Sequence, residues 1–490
     1  MSAANAFDVC IVGGGPGGLA ALSAVLEPYS ADQLSDGQTA RAGHAYGRAK
    51  CAPPKVCIVD PAPWLDTWHK RFKALDIKWL RSPAGAHPDT FDKNTLLAFA
   101  ENHDRKHEFL ESGVVSKELA SLPEASSGLW NLPSNELFED FCSDLASRLS
   151  HTYVRGKAAS IGGADGCFSI SLTDGRELTA KAVILALGVP GPQAAPPQLA
   201  DLPGSLMVHS DAELGSRLEI LNTKRNILVI GGGLTAVQVA QLGVKKRCKV
   251  VLASRRPLTT RHFDVDATWF DRRRANCNRF EFFNKPIEER LKHIKAARGG
   301  GSVPPMYMEA IREAEAFGSL VIKCGEVQLS AVHTDSVDVT IDGQVQRFDL
   351  IVNACGHRPD CQKLPLISEL LKASPVDITG GFPTLSDDLQ WGDFKRLFVI
   401  GALASLQVGP DAGNLMGLTR AAQIVAHAMD LKAWMRDTKA ILTNVRGNRY
   451  QALETDSDSD ATAADSDDAE DSEDTEESER QDPCMRCGDA

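Results

Sequence analysis

The 490-residue chain contains no apolar run near the roughly 20 residues that a membrane-spanning helix requires, although 43% of its residues are hydrophobic. Its first residues, MSAANAFDV, lack the basic and apolar regions of a secretion signal. With a formal net charge of −12, it also lacks the basic surplus that a nucleic-acid-binding surface needs. These absences predict a soluble cytoplasmic protein of two or three domains that binds no nucleic acid and has no membrane span.

The negative charge is confined to the C-terminal end. From Glu454 onward there are 16 acidic and 2 basic residues, whereas the rest of the chain has 49 acidic and 51 basic residues. Residues 451–490 have too little apolar surface to offset the entropy of ordering, so we predict a disordered acidic tail. Serines in this tail suit an acidophilic kinase and a protein partner; alternatively, the tail only keeps the protein soluble. These serines are Ser457, Ser459, Ser466, Ser472 and Ser478.

The sequence does not favour a redox-active cysteine pair, a metal site or a serine nucleophile. None of the 12 cysteines has the spacing and position of the redox pair of a flavin disulfide reductase, so most are expected to be buried thiols. His103 and His107 are four residues apart but lack the glutamate of a zinc-binding HExxH motif, so no metal site is expected. The chain contains no G-x-S-x-G sequence either.

Two glycine-rich motifs are present, GGGPGG at Gly13–Gly18 and GGGLTA at Gly231–Ala236, 218 residues apart. Each follows a short β-branched run and opens a stretch of helical character, which is the context of the dinucleotide-binding G-x-G-x-x-G/A motif. The first glycine permits the turn, the second lets the backbone approach a pyrophosphate, and the third position lets the helix pack on the strand. Two such motifs predict two bound dinucleotides that exchange electrons.

The first motif is followed by an acidic residue at the end of the next predicted strand, where Asp60 succeeds Val56–Val59. An acid there accepts the ribose hydroxyls of an adenosine. It follows the motif by 42 residues, and an inserted surface segment over residues 28–55 accounts for the long separation. Alternatively, Asp60 is an acidic turn residue before Pro61. The predicted ligands at this site are Gly13, Gly15, Gly18 and Asp60.

The second motif is followed by arginines instead of an acid. Arg255 lies 19 residues after Ala236, at the end of the next predicted strand. Guanidinium groups form bidentate, charge-assisted bonds to phosphate, so this position predicts the 2′-phosphate of NADPH. The alternative is solvent-exposed arginines at a strand end. The predicted ligands are Gly231, Gly233, Ala236, Ser254, Arg255 and Arg256.

The order of these segments predicts an α/β protein with two Rossmann-like domains, the NADPH domain nested within a discontinuous FAD domain. Two Ala-x-Gly strand ends, at 186–188 and 354–356, are typical of the crossings between such domains. The predicted ranges are 1–205 and 346–450 for the FAD domain and 206–345 for the NADPH domain, followed by the tail. Within them we predict a meander over 152–186 and helices near 94–118 and 134–150.

The last predicted strand, Leu397–Ile400, is followed by Gly401 and by a helix beginning near Asn414 and Leu415. The N–H groups at the start of that helix would face the pyrimidine edge of the flavin and stabilise negative charge there. Flavoproteins of this kind usually place an aspartate after the glycine, whereas this chain has Ala402, and Asp411 is distant in sequence.

Three short blocks resemble the flavin-dependent N-hydroxylating monooxygenases that act on the side-chain amine of ornithine or lysine. They are Trp68-His69, Leu80-Arg81-Ser82-Pro83, and Leu132-Pro133-Ser134 before Phe138 and Phe141. The resemblance implies two dinucleotide-binding domains over residues 7–430 and makes Trp68, His69 and Arg81 candidate flavin or NADP contacts. An arginine of the family pattern after the third block is replaced by Asn135.

We therefore expect an FAD-dependent, NADPH-using monooxygenase. A C4a-(hydro)peroxyflavin formed with O2 would oxygenate a small nucleophilic substrate, namely an amine, thioether or ketone; the sequence names no catalytic acid or base. One alternative is an NAD(P)H dehydrogenase or oxidase that passes electrons to a quinone or protein. Another is a redox-sensing regulatory flavoprotein that acts through its acidic tail. The terminal Cys484 and Cys487 would favour a reductase if they reached the flavin.

Overall fold

The computed structural model describes residues 5–27, 54–111, 128–188, 191–210, 214–270 and 272–429. Most of the predicted insertion, the acidic tail with its serines, and Cys484 and Cys487 lie outside these ranges. The strands are β1 Ala6–Val12, β2 Val56–Asp60, β3 Phe109–Leu110, β4 Leu132–Pro133, β5 Thr152–Arg155, β6 Ala158–Ala164, β7 Cys167–Leu172, β8 Glu177–Leu185, β9 Met207–His209, β10 Asn226–Ile230, β11 Lys249–Ser254, β12 Leu320–Cys324, β13 Val327–Val332, β14 Val337–Ile341, β15 Gln344–Phe348, β16 Leu350–Asn353, β17 Ile378–Thr379, β18 Phe382–Pro383 and β19 Leu397–Val399.

The helices lie between these strands. They are α1 Pro16–Leu26, α2 Asp66–Ala74, α3 Thr95–Asn102, α4 Asn135–Arg148, α5 Ile220–Thr223, α6 Leu234–Lys245, α7 Arg272–Phe283, α8 Ile287–Arg298, α9 Pro305–Ala316, α10 Pro365–Ala373, α11 Ser405–Val408 and α12 Leu415–Ala428. In the described ranges, none of them is long and apolar enough to cross a membrane.

The first sheet is built on β1, whose residues Val9, Cys10 and Ile11 are fully buried. Strands β5, β2, β1 and β8 lie in parallel in this order, and β19 pairs with the second half of β8. Strands that are apolar on both faces are typical of a parallel sheet covered on both sides. The predicted meander over 152–186 is wrong in its first strand, because Thr152–Arg155 pairs in parallel with β2 and only β6, β7 and β8 form antiparallel neighbours.

The second sheet is parallel throughout, in the order β12, β11, β10, β16 and β9. Strands β13, β14 and β15 form a separate antiparallel sheet. Strand β16 (Leu350–Asn353) pairs with β10 in the second sheet, although it follows residue 346, where the second part of the FAD domain is predicted to begin. The domain ranges stay predictions. We call the part built on the second sheet, residues 206–354, the second module, and the described parts before and after it the first module.

The chain passes between the modules twice, and the two crossings run side by side. The N–H of Ala194 donates to the carbonyl of Gly356 at 2.8 Å, and the N–H of Arg358 donates to that of Pro192 at 3.0 Å. These bonds join the two segments in an antiparallel bridge. The Ala-x-Gly strand ends therefore mark the crossings, as the sequence predicts.

The helical predictions have mixed outcomes. Helix α4 (Asn135–Arg148) confirms the prediction near 134–150, and its first turn is capped by the hydroxyl of Ser134, which accepts from the N–H of Leu137. The helix predicted near 94–118 is wrong in its length. Within residues 94–111, the part of this range that the structure describes, α3 ends at Asn102 and is followed by a 3-10 turn at Lys106–Glu108 and by β3.

The modules touch through α2 and the residues after it. Leu75 and Ile77 belong to the first module in sequence but are buried in the hydrophobic core of the second. Asp76 forms an ion pair with Lys245 of α6. We call the contact between residues 71–81 and the second module the seam.

Candidate dinucleotide-binding sites

The first glycine turn joins β1 to α1. Gly13 has a φ of 122°, and a Cβ on Gly18 would lie 1.8 Å from the Gly13 carbonyl oxygen, so helix and turn are in direct backbone contact. By contrast, a Cβ on Gly15 would meet no described atom within 4 Å. No described side chain caps α1, whose N-terminus begins at Gly15. The turn thus presents a helix N-terminus to open space, as a bound pyrophosphate requires.

Asp60 lies directly beside this turn. One carboxylate oxygen accepts from the N–H of Gly14 at 2.7 Å and the other from the N–H of Ala62 at 2.8 Å. The Tyr153 hydroxyl donates to the carbonyl of Ala62, and Trp64 packs edge-on against the Tyr153 ring. Burial and the Asp60 charge raise the pKa of Tyr153, so it stays a neutral donor. Each Asp60 oxygen keeps acceptor capacity for a ribose hydroxyl.

Tyr153 was not singled out from the sequence. It is the second residue of β5 and lies opposite Ile58 of β2, a pairing that the sequence does not indicate.

Trp68 and His69 face α4. The Trp68 indole stacks on Phe72 with ring centroids 4.7 Å apart and donates to the Asn135 side-chain oxygen at 3.3 Å. His69 Nδ1 lies 2.9 Å from a Glu139 carboxylate oxygen. Burial lowers the pKa of His69, although the Glu139 charge acts in the opposite direction. These contacts join α2 to α4; a role in cofactor binding stays a prediction.

Arg81 has a packing role that the sequence did not suggest. Its guanidinium donates to the carbonyls of Arg261 (3.0 Å), His262 (3.0 Å) and Ser302 (3.2 Å), and to the Ser302 hydroxyl at 2.8 Å. Burial lowers the pKa of Arg81 to about 10, with nearby Arg261 and Arg298 acting in the same direction. Arg81 thus fastens the first module to the second, and a direct contact with a cofactor stays a prediction.

The second glycine turn joins β10 to α6. Gly231 has a φ of 152°, and Gly233 is the N-terminal residue before α6, with no described side chain capping it. Ala236 is buried at the third motif position. The backbone therefore has the conformation that a dinucleotide turn requires.

The predicted arginines follow β11. Ser254 is buried, and its hydroxyl donates to the Arg256 carbonyl at 2.5 Å, which fixes the bend after the strand. Arg255 and Arg256 are exposed. Two exposed guanidinium groups at this point fit a 2′-phosphate.

Arg71, a residue the sequence analysis missed, reaches the second turn from the other module. Its guanidinium lies 3.4 Å from the Thr235 hydroxyl in the first turn of α6. Arg71 follows His69 of the Trp-His block by two residues, and this proximity was the only sign in the sequence that it lies near a predicted site.

A third glycine run packs on the second turn. A Cβ on Gly301 would lie 2.7 Å from both the nitrogen and the Cα of Gly233, and 2.8 Å from the carbonyl carbon of Gly232. The backbone of Gly301 therefore lies directly against the second motif glycine, Gly233. The binding of NADPH by the arginines after β11 stays a prediction.

The third predicted element, at the flavin edge, consists of Gly401 and the start of α12. Gly401 begins a 3-10 turn directly after β19, and α12 begins at Leu415 after Asn414. The Asn414 amide does not cap the helix but donates to Asp264 of the second module at 2.9 Å. Leu418 of α12 packs against α1, so the N-termini of both helices lie at the carboxyl edge of the first sheet.

Asp411 is committed to the fold. Its fully buried carboxylate receives two hydrogen bonds from Arg420, at 2.6 and 2.8 Å. It therefore does not take the place of the aspartate that Ala402 replaces. Arg279 lies close enough to this pair for Arg420 to lower its pKa, and with burial the value falls to about 10.

The nine cysteines within the described ranges are all free thiols. Five of them are buried, namely Cys10, Cys57, Cys142, Cys248 and Cys361. The same ranges contain no group of three or more His, Cys, Asp or Glu side chains arranged to hold a metal ion.

Comparison with known proteins identifies the fold. A family model described as pyridine nucleotide-disulphide oxidoreductase matches residues 101–276. No curated protein sequence matches the chain. The cadaverine monooxygenase DfoA of Erwinia amylovora, solved with bound FAD, superposes with a TM-score of 0.62 at 15% identity over 86% of this chain and 94% of its own.

Two further solved structures extend this likeness. The ornithine N-hydroxylase KtzI of Kutzneria sp. 744, solved with reduced FAD, NADP+ and L-ornithine, gives a TM-score of 0.62 at 14% identity, covering 87% of this chain and 99% of its own. The bacillithiol disulfide reductase Bdr of Staphylococcus aureus gives 0.50 at 14% identity, covering 87% and 99%. The chain thus has the two-dinucleotide-binding flavoprotein fold, which confirms the predicted fold class and its resemblance to the N-hydroxylating monooxygenases.

Proposed function

We propose that this chain is an FAD-dependent oxidoreductase that takes electrons from NADPH and uses O2 to oxygenate a small nucleophilic substrate. The observation that carries the proposal is the carboxyl edge of the first sheet. There, α1 begins at an open glycine turn beside Asp60, and α12 begins at Asn414, so two helix N-termini favour negative charge in one region.

The residues of the first module would divide the binding of FAD among them. Gly13–Gly18 would hold the pyrophosphate, and Asp60 would accept the ribose hydroxyls while Tyr153 keeps the adjoining backbone in place. The N–H groups at the start of α12 would lie at the ring end and favour its anionic reduced form. When bound, FAD would accept a hydride and activate O2, and NADPH would supply that hydride.

The second module would select NADPH over NADH. Arg255 and Arg256 would bind the 2′-phosphate, and Arg71 of the first module would add charge near the start of α6. The pyrophosphate would lie on α6 itself once the backbone of Gly301 leaves the turn.

Amines are the first substrates to test, because the solved enzymes of this fold include a cadaverine monooxygenase and an ornithine N-hydroxylase. Thioethers and ketones follow. We assign no catalytic acid or base. We also propose a cytoplasmic location, and we retain a kinase or protein partner at the acidic tail as a prediction.

The likeness to a disulfide reductase supports a second candidate, an NADPH dehydrogenase or reductase that oxygenates nothing. The two candidates differ in what happens after flavin reduction. A monooxygenase holds the activated oxygen until the substrate reacts, whereas a dehydrogenase passes its electrons to an acceptor.

A stopped-flow experiment separates them. The purified protein, loaded with FAD, is reduced anaerobically with NADPH and mixed with air-saturated buffer while flavin absorbance is followed. We expect a long-lived absorbance transient before the oxidised spectrum returns, with product forming when the right amine is present. Immediate reoxidation with stoichiometric peroxide would favour the dehydrogenase, and failure to bind FAD would end both candidates.

A further inference from the structure

The segment Gly299-Gly300-Gly301-Ser302, here called the strap, connects α8 to Val303 and lies on the second glycine turn. The position where Gly233 would carry a Cβ is 3.4 Å from the Cα of Gly301. Conversely, a Cβ on Gly301 would fall within 2.7 Å of the Gly233 nitrogen. Two backbones are therefore in direct contact at the site where the motif offers its N–H groups to a pyrophosphate.

The first glycine turn provides an internal comparison. Gly15 holds the motif position there that Gly233 holds in the second turn, and a Cβ on Gly15 would meet no described atom within 4 Å. Both turns carry the G-x-G-x-x-G/A pattern, and each joins a strand to a helix. The strap is what distinguishes them, so the second turn is covered although its conformation suits a nucleotide.

Arg81 holds the strap from the other module. It donates to both the carbonyl and the hydroxyl of Ser302, and to the Arg261 carbonyl. The strap also continues into a short backbone pairing, in which Val303 donates to Thr259 and accepts from Arg261, both at 2.9 Å. A buried guanidinium with several carbonyl acceptors is costly to disrupt.

The base of the strap is tied to the first site. Arg298, the last residue of α8, donates to the Pro410 carbonyl at 2.9 Å and forms an ion pair with Asp264. Asp264 in turn accepts from Asn414 at the start of α12. Movement of the strap would therefore be transmitted to the start of α12, which faces the proposed flavin edge.

We propose that the strap is a built-in closure of the second site, that NADPH binds only after the strap is displaced, and that Arg81 sets how often this occurs. The inference rests on the proposed function, since it assumes NADPH at the second turn. A site that is open only part of the time has an apparent affinity reduced by the open fraction.

Gly301→Ala tests the closure directly. The backbone of Gly301 is outside the left-handed region, so alanine is conformationally allowed, but its Cβ cannot share the space with Gly233. We expect the Kd for NADP+, measured by isothermal titration calorimetry on FAD-loaded protein, to fall by about tenfold because the closed state is destabilised. Gly162→Ala is the matched control, since its Cβ would meet no described atom within 4 Å, and its Kd should stay at the wild-type value.

The association rate gives a second readout. With a closed strap, the observed rate of NADP+ binding should level off at high nucleotide concentration, because opening becomes limiting. In Gly301→Ala the rate should remain proportional to concentration over the same range. Arg81→Lys, which keeps the charge but loses the forked donors, should give an intermediate Kd.

The outcomes separate the two proposals. If wild type and all variants retain FAD but bind no NADP+, the proposed use of NADPH fails. If NADP+ binds to wild type as tightly as to Gly301→Ala, or binds more weakly to the variant, the closure is overturned while the function stands. Should Gly301→Ala not fold, Ser302→Ala, which removes one acceptor of Arg81 without adding bulk, must lower the Kd in its place.

Discussion

Gly15 and Gly18 occupy one motif but meet different surroundings. A Cβ on Gly18 would strike the Gly13 carbonyl oxygen at 1.8 Å, so this glycine is required by the fold. A Cβ on Gly15 would enter open space, so this glycine is not required by any contact among the described residues. Gly18 is therefore needed for folding, whereas we expect Gly15 to be needed for the close approach of a ligand.

Gly15→Ala should leave the fold intact and weaken the binding of FAD. We expect the free energy of unfolding to fall by no more than about 1 kcal/mol, because alanine is a poorer helix N-cap than glycine but would meet no described atom at this position. FAD content after gel filtration should fall several-fold, since the added methyl blocks the approach of the pyrophosphate. Gly18→Ala should instead lose both folding and FAD, and full retention of FAD by Gly15→Ala would contradict the site.

Glu108 makes the cap of α4 sensitive to acid. Its carboxylate accepts two hydrogen bonds from Arg105, at 2.6 and 3.0 Å, and one from the Ser134 hydroxyl at 2.5 Å, which itself caps α4. The Arg105 guanidinium, followed by Ser134, holds the pKa of Glu108 below its ordinary value of 4.5. The ionised form is therefore favoured in the folded state.

A lowered carboxyl pKa contributes stability that is complete above the ordinary value and is lost as the pH falls through the folded-state value. Glu108→Gln should therefore destabilise the protein by about 1–2 kcal/mol at pH 7 and by progressively less below about pH 4.5. Urea unfolding at pH 7 and pH 4 measures both values. Glu313→Gln, at an exposed position on α9, is the control, and an equal deficit at both pH values would contradict the assignment.

At the scale of elements, local sequence pattern predicted the two strand–turn–helix glycine motifs correctly but not which strands pair with each other. The helix expected near Asn414 begins at Leu415 with Asn414 before it, and Gly409, with a φ of 115°, ends the preceding helix α11. The strand Thr152–Arg155 has the same alternation as its neighbours in sequence but pairs with β2, 95 residues earlier. Pairing depends on the packing of distant segments, which periodicity does not encode.

The contacts of the seam, like the pairing of strands, could not be predicted from the sequence. The acceptors of Arg81 lie 180 to 221 residues away, so no motif spacing could name them. The glycine run of the strap can be seen in the sequence, but only its contact with Gly233 in the structure indicates that it lies on the second glycine turn. Sequence reasoning thus predicted both glycine turns but not the contact of Gly301 with the second of them.

The bend after β11 should determine the nucleotide preference. In the double variant Arg255→Ala/Arg256→Ala, we expect kcat/KM for NADPH to fall by about 100-fold while that for NADH changes little, because two charge-assisted phosphate contacts are lost. Anaerobic flavin reduction with each nucleotide gives both values. Arg312→Ala, at an exposed arginine on α9, serves as control; an equal loss with NADH would indicate damage to the fold instead of loss of a phosphate site.

At the scale of the whole molecule, the two modules share a core. Leu75 is 3% exposed and lies with Ile77 among the apolar side chains of α6 and the second sheet, although its helix belongs to the first module. The same stretch carries Arg71 and Arg81, which bond to the second glycine turn and to the strap region. We therefore expect the seam, residues 71–81, to couple the stability of the two modules to nucleotide access at the second glycine turn.

Leu75→Ala should reveal this coupling. The lost methyl groups and residual cavity should cost about 2–4 kcal/mol. Because the cavity opens into the second module, hydrogen exchange should accelerate in β10 and β16 as well as in α2. Leu178→Ala, similarly buried in the first sheet, should cost a comparable amount but accelerate exchange only in the first module. If Leu75→Ala left β10 and β16 protected, the modules would be energetically independent, and a strap held by Arg81 could not transmit its position across them.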